Sequence, residues 1–597
     1  MNKTYRNDID GLRAIAIIPV ILFHLGYLSN GYLGVDVFFV ISGYLITGLV
    51  YNEVVENKFS ILKFYERRIR RIFPLVLFTT LIAFLLGLIF MLPDDLENLS
   101  QSVFASNFSA NNILMKITSA DYWAVKNDYK PLMHTWSLGI EEQFYLLYPV
   151  IFFFLNGDKK KFILPLLIFL TILSLTAFFN STDVPSKFYF LQYRFFELSF
   201  GGICAIYFNK RNLFISSSKS QYILYFLLSI LVFLLFFDSI KSNDIKVLTT
   251  TILTAGILVL GGLHFENNSL YKALISNKVF TGIGKISFSL YMWHQIVFAF
   301  ARYFLVEEIT LIYAITLSIT VLVLSIISYF AIENPFRNRT KLKTKPLLII
   351  VSFSFVIITG ASLFIYVIGG NIKDVPELGI TNSNLPSQLN FFSSQSNINI
   401  QYNEDIRALD KPFSDSNKIK ILVVGDSYGR DFANILLESS FREDIEISYV
   451  YSPEPKDIDR FTMSNYIFYA TNSPSTKNAV LGRFNQLDFD TNKLFIVGTK
   501  DFGNSNGIHY NRKVDNYASY RTKMKKGVLQ TNLLLKNEWN GKYIDLISII
   551  GDKDGRVLVF TPDGKFISQD TLHLTKYGAA FFAKLLDNKI RNLIQLT

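Results

Sequence analysis

The stretch IFPLVLFTTLIAFLLGLIFML, residues 72–92, decides the fold of the N-terminal part because it contains no charged residue. A helix of about 20 apolar residues crosses the hydrocarbon core of a bilayer, so this stretch predicts a transmembrane helix. Ten further segments of spanning length lie near 11–29, 32–50, 138–156, 162–179, 188–208, 221–237, 247–264, 286–304, 311–331 and 347–368. The sequence therefore predicts a polytopic α-helical membrane bundle of about eleven transmembrane helices.

The composition of the 597-residue chain agrees with a membrane protein that also has a polar part. Half of the residues are hydrophobic and 18% are charged, against about 25% charged residues in soluble domains. This apolar content excludes disordered and fibrous classes. Cys204 is the single cysteine, which excludes a disulfide framework and a cysteine-based metal cluster. We expect no metal.

The Lys and Arg residues between the predicted spans indicate the orientation. With a cytoplasmic N-terminus, twenty-two of them fall on the cytoplasmic side and six on the other side. This bias is typical of topology determinants, and an odd number of spans then places the chain after residue 369 outside the cytoplasm. The net charge of +11 is thus mainly a topology signal. We expect a multi-pass protein of the bacterial inner membrane that contacts lipids and binds no nucleic acid.

The composition changes sharply after residue 369. We predict a membrane domain over 1–345, an eleventh helix over 346–370, a polar linker over 371–417 and a second domain over 418–597. The run KIKILVV (418–424) is a strand candidate before Gly-Asp-Ser, and further strands are predicted at 494–497 and 556–560. An amphipathic helix is predicted over 574–595. Strands that alternate with helices predict a three-layer α/β domain.

Ionisable residues inside a bilayer are costly, so each is a candidate for function. Arg13 and His24 are eleven residues apart on the first predicted helix, which places them on one face about 16 Å apart. An arginine there could hold an anionic ligand while the histidine carries out proton or acyl chemistry. The alternative is that both are polar residues satisfied within the bundle.

Further polar residues fall within or beside the predicted spans. Four arginines (67, 68, 70 and 71) precede the third span, where they could set topology or hold a phosphate-rich ligand. The other membrane-site candidates are Asp36, His134, Trp136, Glu141, Glu142, Arg194, Glu197, Tyr291, His294 and Glu333. For each of them a structural role is the alternative.

The second domain contains residues suited to nucleophilic catalysis. Ser427 follows a predicted strand and precedes a helix, where backbone amides can stabilise an oxyanion. A serine needs a base to become a nucleophile. Asp570 and His573, three residues apart near the C-terminus, could supply that base and its partner.

Seven motifs in the N-terminal part occur in order over about residues 5–340. They are NDIDGLRAIA (7–16), GVDVFFVISG (34–43), FYERRIRRIFP (64–74), HTWSL (134–138), EEQFY (141–145), SFSLYMWH (287–294) and IENPF (332–336). This part resembles the membrane-bound acyltransferase 3 family. The resemblance implies transfer of an acyl group, usually acetyl, from cytoplasmic acyl-CoA toward an extracytoplasmic glycan. It also implies that Arg13 and His24 form the family's Arg-x10-His signature, with His24 catalytic, and that Arg67, Arg68 and Arg71 lie at the coenzyme end.

The early Gly-Asp-Ser and the late Asp-x-x-His resemble the SGNH (GDSL-like) hydrolase family over residues 418–597. The resemblance implies that Ser427 is the nucleophile, His573 the general base and Asp570 the residue that orients the imidazole. The family's Gly and Gly-x-Asn-Asp blocks, which complete the oxyanion hole, are not recognisable. The segment 498–501 follows a strand as expected but has no asparagine.

Together these features predict an inner-membrane O-acetyltransferase with acetyl-CoA as donor. The expected acceptor is lipopolysaccharide or another surface polysaccharide, with peptidoglycan as the alternative. Two hypotheses from other classes remain open: a transporter or flippase whose outer domain only binds glycan, and an esterase anchored by the membrane part. Polar residues across eleven spans argue against a mere anchor.

Overall fold

The computed structural model describes residues 5–119, 127–209, 218–264, 269–305, 309–380, 398–472, 476–484, 487, 489–513, 515–525 and 527–596. Lys3, Lys126, Lys210, Arg211 and part of the predicted linker (381–397) lie outside the described residues. The backbone separates into two compact units. The first comprises Met1–Ile89, Asn98–Arg302 and Glu307–Tyr366, and the second comprises Phe90–Glu97, Tyr303–Val306 and Val367–Thr597.

Helices dominate the chain up to residue 367. They are α1 (Asn7–His24), α2 (Gly34–Val55), α3 (Ile61–Phe90), α4 (Pro93–Asn107), α5 (Asn111–Ser119), α6 (Thr135–Phe154), α7 (Ile163–Asn180), α8 (Val184–Tyr189), α9 (Leu191–Asn209), α10 (Ser218–Phe236), α11 (Asn243–His264), α12 (Ser269–Leu274), α13 (Lys278–Lys285), α14 (Ser287–Arg302), α15 (Leu311–Ser328), α16 (Asn334–Arg337) and α17 (Thr344–Val367). A π-helical turn, Tyr329–Glu333, joins α15 to α16.

Seven helical stretches among the described residues are long and apolar enough to cross a membrane. They are Gly31–Val55, Ile61–Phe90, Gly157–Asn180, Lys219–Phe236, Asn243–Leu263, Leu311–Arg337 and Thr344–Val367. The other four predicted spans coincide with α1, α6, α9 and α14, which are helices of 16 to 20 residues that carry charged side chains. The helical membrane bundle is therefore confirmed, and the number of eleven spans stays a prediction.

The second unit is built from short strands and helices. The strands are β1 (Ile419–Gly425), β2 (Ile445–Val450), β3 (Tyr466–Ala470), β4 (Leu494–Val497), β5 (Arg521–Lys523), β6 (Tyr543–Ile544) and β7 (Arg556–Leu558). The helices are α18 (Ile398–Glu404), α19 (Ser427–Leu437), α20 (Ile458–Met463), α21 (Lys477–Arg483), α22 (Asn506–Asn511), α23 (Val528–Trp539), α24 (Ile547–Ile550) and α25 (Lys576–Leu593). The predicted linker therefore contains α18.

The main sheet has five parallel strands in the order β2-β1-β3-β4-β6. Strand β1 is buried on both faces, as expected for a strand in a covered parallel sheet. Ile421 and Val423 pack into one hydrophobic cluster with α19 and α25. Leu422 and Val424 point to the opposite face and pack into a second cluster with α20 and α23. The sheet thus lies between two helical layers, which confirms the predicted three-layer α/β domain.

The strand predicted at 556–560 is confirmed over 556–558, where it lies outside the main sheet. Its ordered part, β7, pairs antiparallel with β5 in a separate two-stranded sheet. The β-branched residue Val557 fits a strand in any sheet, so composition could not distinguish the two.

Candidate active sites

The second unit brings Ser427, His573 and Asp570 into one chain of hydrogen bonds. His573 Nδ1 lies 2.6 Å from Asp570 Oδ2, and His573 Nε2 lies 2.8 Å from Ser427 Oγ. Because a carboxylate only accepts hydrogen bonds, Nδ1 carries the ring proton and Nε2 is left to accept the serine proton. Both Ser427 and His573 are buried, at 3% and 1% exposure. This is the geometry of an activated serine nucleophile.

The sheet positions the serine at the start of α19. Asp426 caps this helix by accepting a hydrogen bond from the Tyr428 amide at 2.9 Å. Ser427 is the first helical residue, so its amide has no acceptor within the helix and can face an oxyanion. The preceding Gly425 has a φ of +146°, and a Cβ there would lie 1.7 Å from the carbonyl oxygen of Ala470. Only glycine allows β1 to end this close to β3.

Asp570 is fixed as a charged group. Burial would raise the pKa of its carboxyl, but the adjacent His573 ring and hydrogen bonds from two backbone amides lower it below its usual range. The amides of Leu572 and His573 donate to Oδ1 at 3.0 and 2.8 Å, which leaves Oδ2 for the imidazole. Thr571, which follows Asp570, has a φ of +77°, a conformation that non-glycine residues adopt at an energetic cost.

Asp431 on the nucleophile helix forms a buried ion pair and also accepts a hydrogen bond from the histidine loop. Lys500 Nζ lies 2.8 Å from Asp431 Oδ2, and both side chains are 2% exposed. Asp431 Oδ2 also accepts a hydrogen bond from the amide of Leu574, the residue after His573, at 3.1 Å. Asn403 donates to Asp431 Oδ1 at 2.6 Å and to the Ser427 carbonyl oxygen at 3.2 Å. These contacts fix the serine and histidine backbones relative to each other.

The first unit contains a cavity beside Arg13, which we call the Arg13 cavity. It has a volume of about 80 Å³ and is lined by three arginines, residues 13, 68 and 71, and by the carboxylate-bearing Glu141. The Arg68 guanidinium lies 5.4 Å from the ring centroid of Tyr145. Three guanidinium groups on one cavity suit a ligand that carries phosphates.

The other two arginines of the cluster point elsewhere. Arg67 forms an ion pair with Glu53 at 3.0 Å and is absent from the lining of the Arg13 cavity. Arg70 is buried and binds Glu66 at 2.9 Å as well as the carbonyl oxygens of Phe336 and Leu342. Successive side chains on an α-helix are rotated by about 100° around its axis, so residues adjacent in the sequence face different directions.

A second cavity, the His24 cavity, has a volume of about 460 Å³ and is lined by His24, Trp136, Lys187 and Arg194 among others. Arg13 and His24 therefore lie on different cavities, although both belong to the continuous helix α1. Val35 and Tyr291 line both cavities. The Tyr291 hydroxyl donates to the carbonyl oxygen of His134 at 2.7 Å, which holds the ring at this boundary.

Three histidines meet in the first unit. The ring centroid of His294 lies 5.0 Å from that of His24 and 5.1 Å from that of His134. His294 Nδ1 lies 2.6 Å from the carbonyl oxygen of Tyr291, so Nδ1 carries the proton in the neutral ring. Its Nε2 has no hydrogen-bond partner among the described residues. His294 can therefore accept a proton beside His24.

Asp36, Arg194 and Glu197 form a buried cluster. Arg194 forms an ion pair with Asp36, and its Nε lies 3.1 Å from Glu197 Oε1. The spacing of three residues on one helix predicts an ion pair between Arg194 and Glu197, and this ion pair is present. Asp36 on α2 also pairs with Arg194. Two carboxylates around one guanidinium fix α2 against α9.

A family model described as an acyltransferase domain matches residues 6–330, more than half of the chain. The chain belongs to this acyltransferase family. The match covers both cavities and the three histidines, and it ends before Val367–Thr597, the main segment of the second unit. No solved structure matches the chain significantly.

The acyltransferase has curated relatives in Staphylococcus aureus. The O-acetyltransferase OatA of strain NCTC 8325 / PS 47 is 33% identical over 352 residues, which are 56% of this chain and 58% of the relative. The putative O-acetyltransferase SAS0844 of strain MSSA476 is 32% identical over 369 residues, 57% of this chain and 60% of the relative. The matched region thus spans less than two thirds of these relatives.

Some predicted site residues of the acyltransferase lie away from both cavities. Glu333 accepts a hydrogen bond from Ser289 at 3.0 Å and pairs with Arg337 at 3.1 Å. Glu142 and His134 are absent from both linings. These contacts give Glu333 a structural role at the π-helical turn.

Sequence reasoning missed two polar residues of the sites. Ser137 lines the Arg13 cavity, and its Oγ lies 2.6 Å from the Tyr291 hydroxyl. Ser137 belongs to the motif HTWSL (134–138), which was the available signal. Lys500 occupies the segment where an asparagine was expected, but its pairing with Asp431 over 69 positions left no local signal.

Proposed function

We propose that this acyltransferase transfers an acetyl group from cytoplasmic acetyl-CoA to a hydroxyl of an extracytoplasmic glycan. The observation that carries the proposal is the hydrogen-bonded chain of Ser427, His573 and Asp570 in the same polypeptide as an acyltransferase domain. A transporter with a glycan-binding domain has no use for an activated serine. The proposed location is the bacterial inner membrane, with the N-terminus cytoplasmic and the second unit outside.

The membrane half of the proposed reaction uses the two cavities. Arg13, Arg68 and Arg71 hold the phosphates of the donor through charge-assisted hydrogen bonds. His24 acts either as a base for the group that accepts the acetyl or as its transient carrier. In both cases the bond between the acetyl carbon and sulfur breaks, and the thiolate takes up the proton released by the new acyl carrier. His294 is placed to accept and return that proton.

The outer half of the proposed reaction is an exchange on Ser427. Ser427 Oγ attacks the acetyl carbon while its proton passes to His573 Nε2, and the proton then moves to the departing carrier. A sugar hydroxyl next gives its proton to His573 and attacks the acetyl-serine. His573 returns the proton to Ser427 Oγ as the ester bond to the enzyme breaks. Asp570 keeps Nδ1 protonated throughout.

The proposed acceptor is a glycan of the cell envelope, because the second unit is proposed to lie outside the cytoplasm. Lipopolysaccharide or another surface polysaccharide is the proposed acceptor, and peptidoglycan is the alternative. The two are separable because they can be extracted as different fractions of the cell envelope.

The test measures ester-linked acetate in both fractions from cells that lack the gene. The cells are complemented at matched expression with the wild type, His24→Ala, Ser427→Ala or the exposed control Ser440→Ala. We expect the wild type and Ser440→Ala to restore acetate in one fraction and the other two variants to restore none. Full restoration by Ser427→Ala would contradict the role of the outer serine. If the gene's loss removes acetate from neither fraction, the transferase function is wrong for these glycans.

A further inference from the structure

A cavity in the second unit lies beside the nucleophile but is not part of the hydrogen-bonded chain described above. It has a volume of about 360 Å³ and is lined by Asp426, Tyr451, Tyr469, Arg483 and Phe484 among others. Pockets of about 300–1,000 Å³ are typical of small-molecule sites. It lies at the carboxyl ends of β1, β2 and β3, where ligands bind in open α/β sheets. Gly425 and Asp426, which directly precede Ser427, belong to the lining, so the cavity borders the segment that carries the nucleophile.

The walls of this cavity are aromatic. Tyr469 and Phe484 are buried and pack edge to face, with ring centroids 5.5 Å apart. Tyr451, which follows β2, is 58% exposed. A rigid buried pair and an exposed ring form a surface on which the apolar face of a sugar ring can stack. Exposed tyrosine suits such a role because its ring is apolar and its hydroxyl bonds to water or ligand.

The basic side chain of the cavity can pair with an anion. The Arg483 guanidinium donates to the Tyr469 hydroxyl at 2.7 Å, and among the described residues no carboxylate forms an ion pair with it. Asp426 is the acidic side chain of the lining, and its two oxygens accept hydrogen bonds from the amides of Tyr428 and Asn472, both at 2.9 Å. Arg483 therefore presents donors in a planar fork that matches a carboxylate.

We propose that this cavity binds a carboxylate-bearing sugar unit of the acceptor glycan. The carboxylate pairs with Arg483, the sugar ring packs on Tyr451, and a hydroxyl of the same or the adjacent sugar unit reaches Ser427. The proposal rests on the proposed function and makes it more specific, because the enzyme then prefers acidic glycans over neutral ones.

The test uses the purified full-length protein in detergent, with p-nitrophenyl acetate as a soluble acetyl donor. The acceptors are a hyaluronan tetrasaccharide and a galacturonate trisaccharide, each compared with the same oligosaccharide after reduction of its carboxyls to hydroxymethyl groups. We expect the KM of at least one acidic acceptor to be tenfold or more below that of its reduced form. Arg483→Gln should remove this preference by raising the KM of the acidic acceptor, and Arg483→Lys should restore part of it. The exposed control Arg442→Gln should change neither value.

Two results would overturn the proposal. One is an equal KM, or no saturation, for the acidic and reduced forms in both pairs. The other is an acid preference that survives in Arg483→Gln. Failure of the proposed function is recognised separately, because the wild type would then transfer acetyl from p-nitrophenyl acetate to none of the oligosaccharides, acidic or reduced. Saturation-transfer NMR of the oligosaccharides would in that case still report whether the cavity binds them.

Discussion

Replacing Asp570 by asparagine removes one charge from the Ser427–His573–Asp570 chain while keeping the size of the side chain. In the wild type, Oδ1 accepts two backbone amides and Oδ2 faces His573 Nδ1. If the asparagine keeps its oxygen on the amides, its NH2 group faces Nδ1. The imidazole then has to carry its proton on Nε2, and it can no longer accept the proton of Ser427.

The magnitude follows from the alternative orientation. Turning the asparagine so that its oxygen faces Nδ1 restores the productive imidazole but places an NH2 group against two amide donors. Losing these two hydrogen bonds costs about 1–3 kcal/mol each. The productive form is therefore disfavoured by about 2–6 kcal/mol, which corresponds to a rate loss of about 30-fold to 3 × 10⁴-fold. The same substitution in another Ser-His-Asp enzyme lowers kcat about 10⁴-fold.

The assay is the rate of the p-nitrophenol burst when the full-length protein reacts with p-nitrophenyl acetate. Asp587→Asn is the matched control, because Asp587 pairs with Arg591 on the surface, at 3.0 Å. We expect the control to react like the wild type and both variants to unfold at the wild-type temperature within a few degrees. A burst rate of Asp570→Asn within threefold of the wild type would refute the assigned role of Asp570.

Three further predictions concern the rest of the chain. Lys500→Met leaves the buried carboxylate of Asp431 without its ion-pair partner, so thermal unfolding should show a loss of about 3–5 kcal/mol in the free energy of unfolding. The double variant with Asp431→Asn should lose less than the sum of the two single variants. Additive losses would contradict the coupling between the two residues. Arg68→Gln should raise the KM for acetyl-CoA about 10–100-fold, because a charge-assisted contact is lost. Arg67→Gln should leave this KM unchanged, because Arg67 lies outside the Arg13 cavity. Equal effects of the two variants would contradict the assignment of Arg68, and not Arg67, to the donor site. Burial would raise the pKa of Asp545, but hydrogen bonds from Ser548, Lys536 and Asn532 lower it to about 2. The charged carboxylate of Asp545 therefore stabilises the folded state at neutral pH by about 1–2 kcal/mol, after allowance for solvent screening. This stabilisation should be present above about pH 4 and disappear as the pH falls toward 2, and an Asp545→Asn variant whose unfolding temperature shows the same pH dependence as the wild type would contradict it.

The catalytic residues of the second unit were largely predictable from sequence, because each motif lies next to a recognisable strand or helix. Gly-Asp-Ser directly follows β1, and Asp-x-x-His directly precedes α25. The fold of the sheet brings the two motifs together. The sheet order and the pairing of Lys500 with Asp431 were not predictable, because they depend on contacts between distant segments. The same holds for β7, whose composition suits either sheet.

The membrane unit was predictable as a set of helices but only partly as a site. The spacing of Arg13 and His24 on α1 is a local property, so it could be read from the chain. Their separation into two cavities depends on Val35 and Tyr291, which come from other helices. Likewise Asp36 and Arg194 form their ion pair although they are 158 positions apart in the sequence, and no pattern in either helix predicts that contact.

The central claim is that an acetyl group passes from His24's cavity to Ser427. The most direct test incubates the reconstituted full-length protein with isotope-labelled acetyl-CoA and identifies labelled acetyl on the peptide that contains Ser427 by mass spectrometry. We predict label on Ser427 in the wild type and none in His24→Ala, although His24→Ala should still be acetylated there by p-nitrophenyl acetate. Label on Ser427 that persists in His24→Ala would contradict the account, as would a wild type that turns over acetyl-CoA without ever labelling Ser427.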